Sequence, residues 1–386
     1  MASGHRVVAL AWHQRTSAID TRERLLGVLT SGPDRAVLAT CHRIELYTAL
    51  PDATDAIRIA AGLGVAERDR ATMSVFEGPA AVAHLFSVAS GLDSAVVGEP
   101  QILAQVRRAC ASATHPALVA VLARALHVGR VVRADNDLTS TRSVGSLAVE
   151  AALASVRDPL HATVLVVGAG EMGKLALRAL VPRVGAVVVA NRDIARAGDL
   201  AERYGARAIP LAGVPAALHA AEALISAADT RGAVLTAPLI EQRLRRGPLM
   251  VVDIAVPRSV GADARALLGA AYVSVDDLPG ARARVADATV AAALARCEGE
   301  AVRFCETRSP ERAAAIRELR DGAERVRVAK LARAMKRLGH LSARDRRIVA
   351  ALTENLTHAL VHPPTVAVRE HGEDAAARAL LGRSPR

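Results

Sequence analysis

The sequence predicts a multidomain α/β protein: an α+β unit first, then a parallel-sheet domain, then a long helix that leads into an all-α region. Three observations predict it. Short strand-like runs mixed with helices fill roughly the first third. A glycine turn between an apolar strand and a helix opens a strand-turn-helix repeat in the middle. After "YVSVDDLPG" the strand patterning stops and only helical periodicity follows. A chain of 386 residues is long enough for two or three such domains. Hydrophobic residues make up 51% and aromatics 2%, so the cores must be built from Ala, Val, Leu and Ile.

In the first region, "HRVVALAW" and "AVLAT" read as strands and "TRERLLGVL" between them as a helix. "RIELYTA" alternates apolar and polar residues, the pattern of a half-buried strand. From "GPAAVAHLFSVASGL" to about Arg133 the period is mostly helical, with breaks at Gly91, Gly98-Glu99-Pro100 and His115-Pro116. In the middle, "ATVLVVGAG", "GAVVVANR", "EALISAAD" and "PLMVVDIAV" are near-continuous apolar strands separated by helices, as in a parallel sheet covered on both faces. In the last region Val290, Leu294, Cys297, Ala301 and Phe304 fall at spacings of three and four and form one stripe. Pro310 marks a break or a new helix start. Ile316, Leu319, Val326 and Met335 line that next helix, whose Arg/Glu-rich remainder requires a partner helix, as in a dimer. The boundaries that follow are 1–142, 143–277 and 278–386.

Gly168-Ala169-Gly170-Glu171-Met172-Gly173 is a G-x-G-x-x-G that follows "TVLVV" directly and opens a helix, the context that makes the motif meaningful. Gly168 suits the tight turn, Gly170 the approach of a pyrophosphate and Gly173 close helix–strand packing, so the domain is of Rossmann type. The next strand ends at Asn191 and Arg192 instead of the acidic residue that usually holds the ribose of NAD. Arg192 can clamp a 2′-phosphate, which favours NADPH; an ordinary surface arginine remains the alternative.

The formal net charge is +11, nearly all of it Arg, spread without a polybasic block. It suits a polyanionic partner and equally a solvated surface. None of the four cysteines forms a CxxC pair or a metal-spaced Cys/His cluster, so no metal is expected. No leader pattern and no apolar run of membrane-spanning length is present, so a cytoplasmic protein with reduced thiols is expected. Cys297, Cys305 and Cys110 lie in helical patterns as packed thiols. Cys41 lies at a strand–loop transition beside His42 and Arg43, where positive charge can lower a thiol's pKa. A cysteine paired with a nucleotide domain suggests acyl capture as a thioester and then hydride reduction to an aldehyde. Residue chemistry alone leaves packed thiol and nucleophile both open.

Taken together, "ATCHRIELY", "GLDSAVVGEPQILAQV", "VLVVGAGEMG", "VVDIAVPRSV", "YVSVDDL" and "HPPTVAVRE" resemble the glutamyl-tRNA reductase family, in that family's order and over nearly the whole chain. The resemblance implies NADPH-dependent reduction of glutamyl-tRNA(Glu) to glutamate 1-semialdehyde, the first step of the five-carbon route to tetrapyrroles. It implies a homodimer joined through C-terminal helices and a next enzyme, glutamate-1-semialdehyde aminomutase. It makes Cys41 the nucleophile, His84 important for activity, and Thr40, His42, Arg43, Ser94, Glu99, Pro100, Gln101 and Gln105 the substrate residues. Arg43 suits a substrate carboxylate and Glu99 an α-ammonium. For His84 a plain helix-surface histidine is the alternative. A divergent paralogue acting on another acyl group, or a weakly active NADPH- or tRNA-binding scaffold, are the competing readings of the chain.

The chain also departs from the family's pattern. His42 stands where Asn is usual. Trp12 and Gln14 stand where Asn or Ser and Lys or Arg are usual, and "ISAADT" replaces a Ser-Ser-Thr-Gly-like strand end. Adjacent extended residues face opposite sides, so His42 is expected to point away from the sulfur. There it takes the Asn's place against the substrate and adds a pH-dependent charge.

Overall fold

A computed structural model describes residues 5–51, 54–94, 96–99, 101–136, 138, 143–228, 230, 232–278, 287–308 and 310–371. Pro100 lies outside the described residues. The chain divides into a larger compact unit, Val7–Glu298, and a smaller one built on the residues from Gly299 onward.

The first sheet contains β1 (His5–His13), β2 (Arg35–Ala39), β3 (Arg43–Pro51) and β4 (Ser74–Glu77), in the order β2-β3-β1-β4. β2 runs antiparallel to β3 with Ala39 opposite Ile44, and β1 antiparallel to β4 with Val8 opposite Glu77. The alternation in β3 does not mark a solvent face: every residue from Arg43 to Leu50 is buried. Ile44, Leu46 and Leu50 join Val8, Leu10 and Trp12 in one core. The opposite face turns Arg43, Glu45 and Tyr47 inward as a polar layer whose groups pair with one another. The unusual Trp12 is part of that core, and its Nε1 donates to Asp69 O at 2.7 Å, so the indole is buried with its one donor satisfied.

The second sheet comprises β5 (Thr163–Val167), β6 (Ala186–Asn191), β7 (Arg207–Pro210), β8 (Ala223–Ser226), β9 (Met250–Asp253) and β10 (Tyr272–Ser274). Its order is β10-β9-β8-β5-β6-β7, and its ladders are parallel. Read from the β7 edge this is the 3-2-1-4-5-6 order of a dinucleotide fold, with the strand order reversing between β5 and β8. Helix Glu171–Leu180 follows β5, and helix Ile194–Tyr204 follows β6 and ends on Gly205 in the left-handed region. Helix Val144–Leu153 leads into this domain through a capping box at Ser143 and Ser146.

The two sheets share packing. Ile19 and Val96, from the first region, belong to the same hydrophobic cluster as Val164, Val252, Ile254 and Val275. Helix Asp287–Glu306 follows. Its buried residues are Ala293, Cys297, Ala301 and Phe304, while Leu294, expected in the stripe, is partly exposed and lines a cavity with Val290. In the smaller unit, helices Pro310–Arg337 and Ala343–His371 pack on one another. The second of them leaves Ile348, Leu352, Leu356 and Leu360 exposed at four-residue spacing, broadly one apolar face.

Candidate active site

Residues 40–43 form a bend between β2 and β3. Thr40 Oγ1 accepts from the backbone N–H groups of His42 and Arg43, each at 3.2 Å. Gln14 N donates to His42 O at 2.9 Å, tying the bend to the end of β1. Because the backbone bends here, the two neighbouring side chains converge: Cys41 Sγ lies 3.1 Å from His42 Nδ1. This corrects the expectation that His42 points away from the sulfur, which assumed an extended chain. The expected added charge is also corrected. Burial, then Arg22, Arg43 and His13, lower His42 to about 3, so the imidazole is neutral at neutral pH. Burial and then Glu99 push the Cys41 thiol well above its ordinary value, against the opposing pull of Arg22 and Arg43. The resting pair is therefore a neutral thiol beside a neutral imidazole.

Arg43 is buried and committed to the protein. Its Nη1 donates to Glu45 Oε1 at 3.1 Å and Asp93 Oδ2 at 2.9 Å, and its Nη2 to Asp93 O. Tyr47 Oη donates to Glu45 Oε2 at 2.5 Å, and His84 Nε2 meets Glu45 Oε1 at 3.0 Å. Burial pushes Glu45 up, but His84 and Arg43 outweigh it and hold the carboxyl well below its usual range. His84 is stacked on Phe76, with centroids 4.2 Å apart, and only 12% of its side chain is exposed. It is a packed member of the polar layer, not a surface histidine. Arg15, which contacts Asp93, lines a cavity of about 450 Å³ with His13, Glu45, Ser74, Phe76 and His84.

Two further segments complete the neighbourhood. Ser94 and Glu99 are buried in the loop ahead of helix Gln101–Ala109. That loop is held by Arg133, which donates to Gly98 O at 2.8 Å and Glu99 O at 2.9 Å. Burial raises Glu99 to about 7, against Arg43 and Arg133. Gln101 and Gln105 share a face of the helix at i, i+4. Gln101 Oε1 and His13 Nε2 are buried without a hydrogen-bond partner among the described residues, a costly arrangement that a polar ligand would relieve. Of the site residues expected from the sequence only His84 lines the Arg15 cavity; Thr40, Cys41, His42, Arg43, Ser94, Glu99, Gln101 and Gln105 do not.

Residue patterning missed Arg22. Its side chain is fully buried and donates to Ser17 O at 2.9 Å, Cys41 O at 3.3 Å and Asp276 Oδ1 at 2.6 Å, joining the cysteine bend to the segment after β10. A parallel tie runs from Arg258 to Glu23 Oε1 and Oε2, at 2.9 and 2.7 Å, and to Asp20. Cys41 itself packs against the cluster that holds Val252, Ile254 and Val275 at the carboxyl ends of β9 and just beyond β10. Cys41 and the nucleotide sheet thus share one apolar cluster.

The glycine turn has the geometry its spacing implied. Gly168 has φ +112°, and a Cβ there would stand 2.5 Å from Ala227 O; a Cβ on Gly173 would stand 1.9 Å from Gly168 O. Around Gly170 nothing lies within 4 Å, which leaves the approach that a pyrophosphate requires. Gly168, Ala169, Gly170, Asn191 and Arg192 line a cavity of about 570 Å³, together with Arg196, which the sequence reading missed. Glu171, Met172 and Gly173 are not in that lining; Gly173 is buried beneath the turn. Asn191 Oδ1 accepts from Ala169 N at 3.3 Å and so pins the turn. Asp193 Oδ1 accepts from Ala195 N and Arg196 N and caps the next helix. At the end of β9 Asp253 is fully buried and accepts from the N–H groups of Ala255, Ser259 and Val260; burial still raises it to about 6.

A thiol joined to a dinucleotide fold defines the class: an oxidoreductase with a nicotinamide cofactor and a cysteine packed against the apolar cluster of its nucleotide domain. Residues 5–136 match the family described as glutamyl-tRNAGlu reductase, N-terminal domain, and residues 293–382 that family's dimerisation domain. Residues 150–281 match shikimate / quinate 5-dehydrogenase. The chain is 33% identical to the glutamyl-tRNA reductase of Syntrophotalea carbinolica, over 93% of this chain and 89% of that protein. It is 35% identical to that of Xanthomonas campestris pv. campestris, over 94% and 89%. Among solved structures it matches glutamyl-tRNA reductase from Methanopyrus kandleri at 26% identity and a TM-score of 0.38, covering 97% of this chain and 98% of that one. The chain belongs to the glutamyl-tRNA reductase family.

Proposed function

We propose that this chain reduces the glutamyl group of glutamyl-tRNA(Glu) to glutamate 1-semialdehyde with NADPH, through a thioester on Cys41 and with release of the tRNA. The observation that carries the reading is the packing of Cys41 against the same apolar cluster that holds Val166, Val252, Ile254 and Val275 of the nucleotide region, which joins the thiol to that region. Bound NADPH supplies the hydride that turns the thioester into an aldehyde. The chain's own residues hold the reactants. The glycine turn and the start of helix Glu171–Leu180 offer backbone N–H groups to the pyrophosphate. Arg192 and Arg196 line the same cavity and supply guanidinium groups for a 2′-phosphate.

On the substrate side, Ser94, Glu99, Gln101 and Gln105 take the glutamyl group beside Cys41, with Thr40 fixing the bend. Arg43 acts from behind, orienting Glu45 and Asp93, and His84 works through its contact with Glu45. The functional divisions are 1–142 for substrate recognition, 143–277 for NADPH, and 278–386 for dimerisation, in keeping with the three matched ranges. A second copy of the chain covers the Ile348–Leu360 face, making a homodimer through the C-terminal helices. Arg-rich surface charge suits the tRNA backbone. Among the described residues no helix is long and apolar enough to cross a membrane, and all four cysteines are free, which suits work in the reducing cytoplasm. The reactive aldehyde then needs a consuming enzyme, the aminomutase.

The test is an assay with glutamyl-tRNA and either NADPH or NADH, on the parent protein, Cys41→Ser and Arg192→Ala. Aldehyde from the parent with NADPH, none from Cys41→Ser, and a shift toward NADH in Arg192→Ala are expected. No aldehyde from the parent, or aldehyde only with a different charged tRNA, overturns the reading.

A further inference from the structure

Cys41 Sγ lies 3.1 Å from His42 Nδ1. This contact is held from several sides. Thr40 Oγ1 accepts from the N–H groups of His42 and Arg43, Gln14 N donates to His42 O, and Arg22 donates to Cys41 O. These ties fix the backbone on both sides of the thiol, and His42 is only 5% exposed, so the imidazole has little room to swing away. Asn, usual at this position in the resembled pattern, has no atom that accepts and returns a proton at neutral pH. His does.

We propose that His42 is a catalytic residue of this chain, the base and proton carrier of the acylation step. The inference rests on Cys41 being the nucleophile. Nδ1 takes the thiol proton as Sγ attacks the carbonyl of the aminoacyl ester. The same proton passes to the ribose oxygen as that oxygen leaves. One S–C bond forms and one C–O bond breaks; the proton moves from sulfur to the tRNA ribose, and His42 ends neutral as it began. No oxidant or reductant enters this step.

The charged groups that face the pair fit this order of events. Arg22, from helix Ile19–Leu26, and Arg43, from the start of β3, both disfavour a resting imidazolium, as does burial; His13, at the end of β1, adds to them. Glu99, from the loop before helix Gln101–Ala109, together with burial disfavours a resting thiolate. Neither partner is charged at rest, so transfer waits for the ester carbonyl, where the developing oxyanion offsets the arginine charge. A preformed thiolate–imidazolium pair, the alternative for a Cys–His contact, is opposed by the same groups.

The experiment measures tRNA release from glutamyl-tRNA in a single turnover without reductant, in H2O and D2O and across pH, for the parent, His42→Asn and Cys41→Ser. Cofactor affinity, measured in parallel, reports on folding. The parent is expected to show a solvent isotope effect on release. His42→Asn is expected to release tRNA about 10²-fold more slowly, with a changed pH profile and parent-like cofactor affinity. Release by His42→Asn at the parent rate and pH profile overturns the proposal. If His42→Asn fails to fold, the absence of an isotope effect in the parent overturns it. Release by Cys41→Ser at the parent rate instead overturns the nucleophile reading on which it stands.

Discussion

Cys41 and His42 meet because two residues of backbone bend where an extended strand would have sent their side chains apart. The nucleophile candidate was legible as a residue in a motif, but its partner was not, since the contact depends on the turn that Thr40 holds. The same bend carries a stability cost that depends on pH. His42 has a folded value of about 3, against about 6.5 in an unfolded chain. Between those values the unfolded chain binds a proton that the folded chain does not. The stabilisation is therefore full above about pH 6.5 and is lost as pH falls toward 3. At about pH 5 the loss from this group is about 2 kcal/mol relative to neutral pH. His13, lowered to about 4, adds a similar slope. Urea denaturation of the parent and of His42→Asn at both pH values is expected to show the smaller acid loss in the variant. Equal losses would contradict the buried neutral imidazole.

At the scale of elements, the glycine turn was readable from spacing because its requirements are purely steric. The variants Gly173→Ala and Gly170→Ala separate its two jobs. A Cβ at 173 collides with the backbone of Gly168, so strand and helix must part; the variant is expected to lose both cofactor binding and thermal stability. A Cβ at 170 meets nothing within 4 Å, so that variant is expected to melt near the parent temperature and still bind the dinucleotide weakly, because the methyl occupies the pyrophosphate's place. Calorimetric titration and thermal melting check both. A parent-like affinity in Gly170→Ala would contradict the assignment of that cavity. β3 was harder to read. Its period of two was correct, but Arg43, Glu45 and Tyr47 face a buried polar layer, and periodicity cannot tell a wet face from an internally paired one. β4, at four residues, is too short to leave a periodic signal. Arg22 and Arg258 were illegible for a different reason: their partners Asp276 and Glu23 lie more than two hundred positions away along the chain.

At the scale of the whole molecule, the larger unit joins the first sheet's region to the parallel-sheet region through shared apolar packing and the paired ties of Arg22 and Arg258. Buried charges of this kind fix geometry more than they add stability. The smaller unit exposes Ile348, Leu352, Leu356 and Leu360, which a monomer leaves wet and a second copy would cover. The double variant Leu352→Asp/Leu356→Asp is expected to sediment as a monomer where the parent sediments as a dimer, with the folding of the larger unit unchanged. A dimer of parent affinity would contradict the placement of the interface on that face. The succession of an α+β region, a parallel sheet and long helices was legible from where strand patterning starts and stops; which faces meet was not, because contact between distant segments leaves no local period. On the proposed route an acyl group passes through the Cys41 sulfur before it is reduced. The most direct measurement of that passage is peptide mapping by mass spectrometry after the protein meets radiolabelled glutamyl-tRNA without reductant and is quenched in acid. A glutamyl group on the peptide that contains Cys41, discharged as aldehyde when NADPH is added before the quench, is the predicted result; label that stays on tRNA while NADPH still yields aldehyde would contradict it.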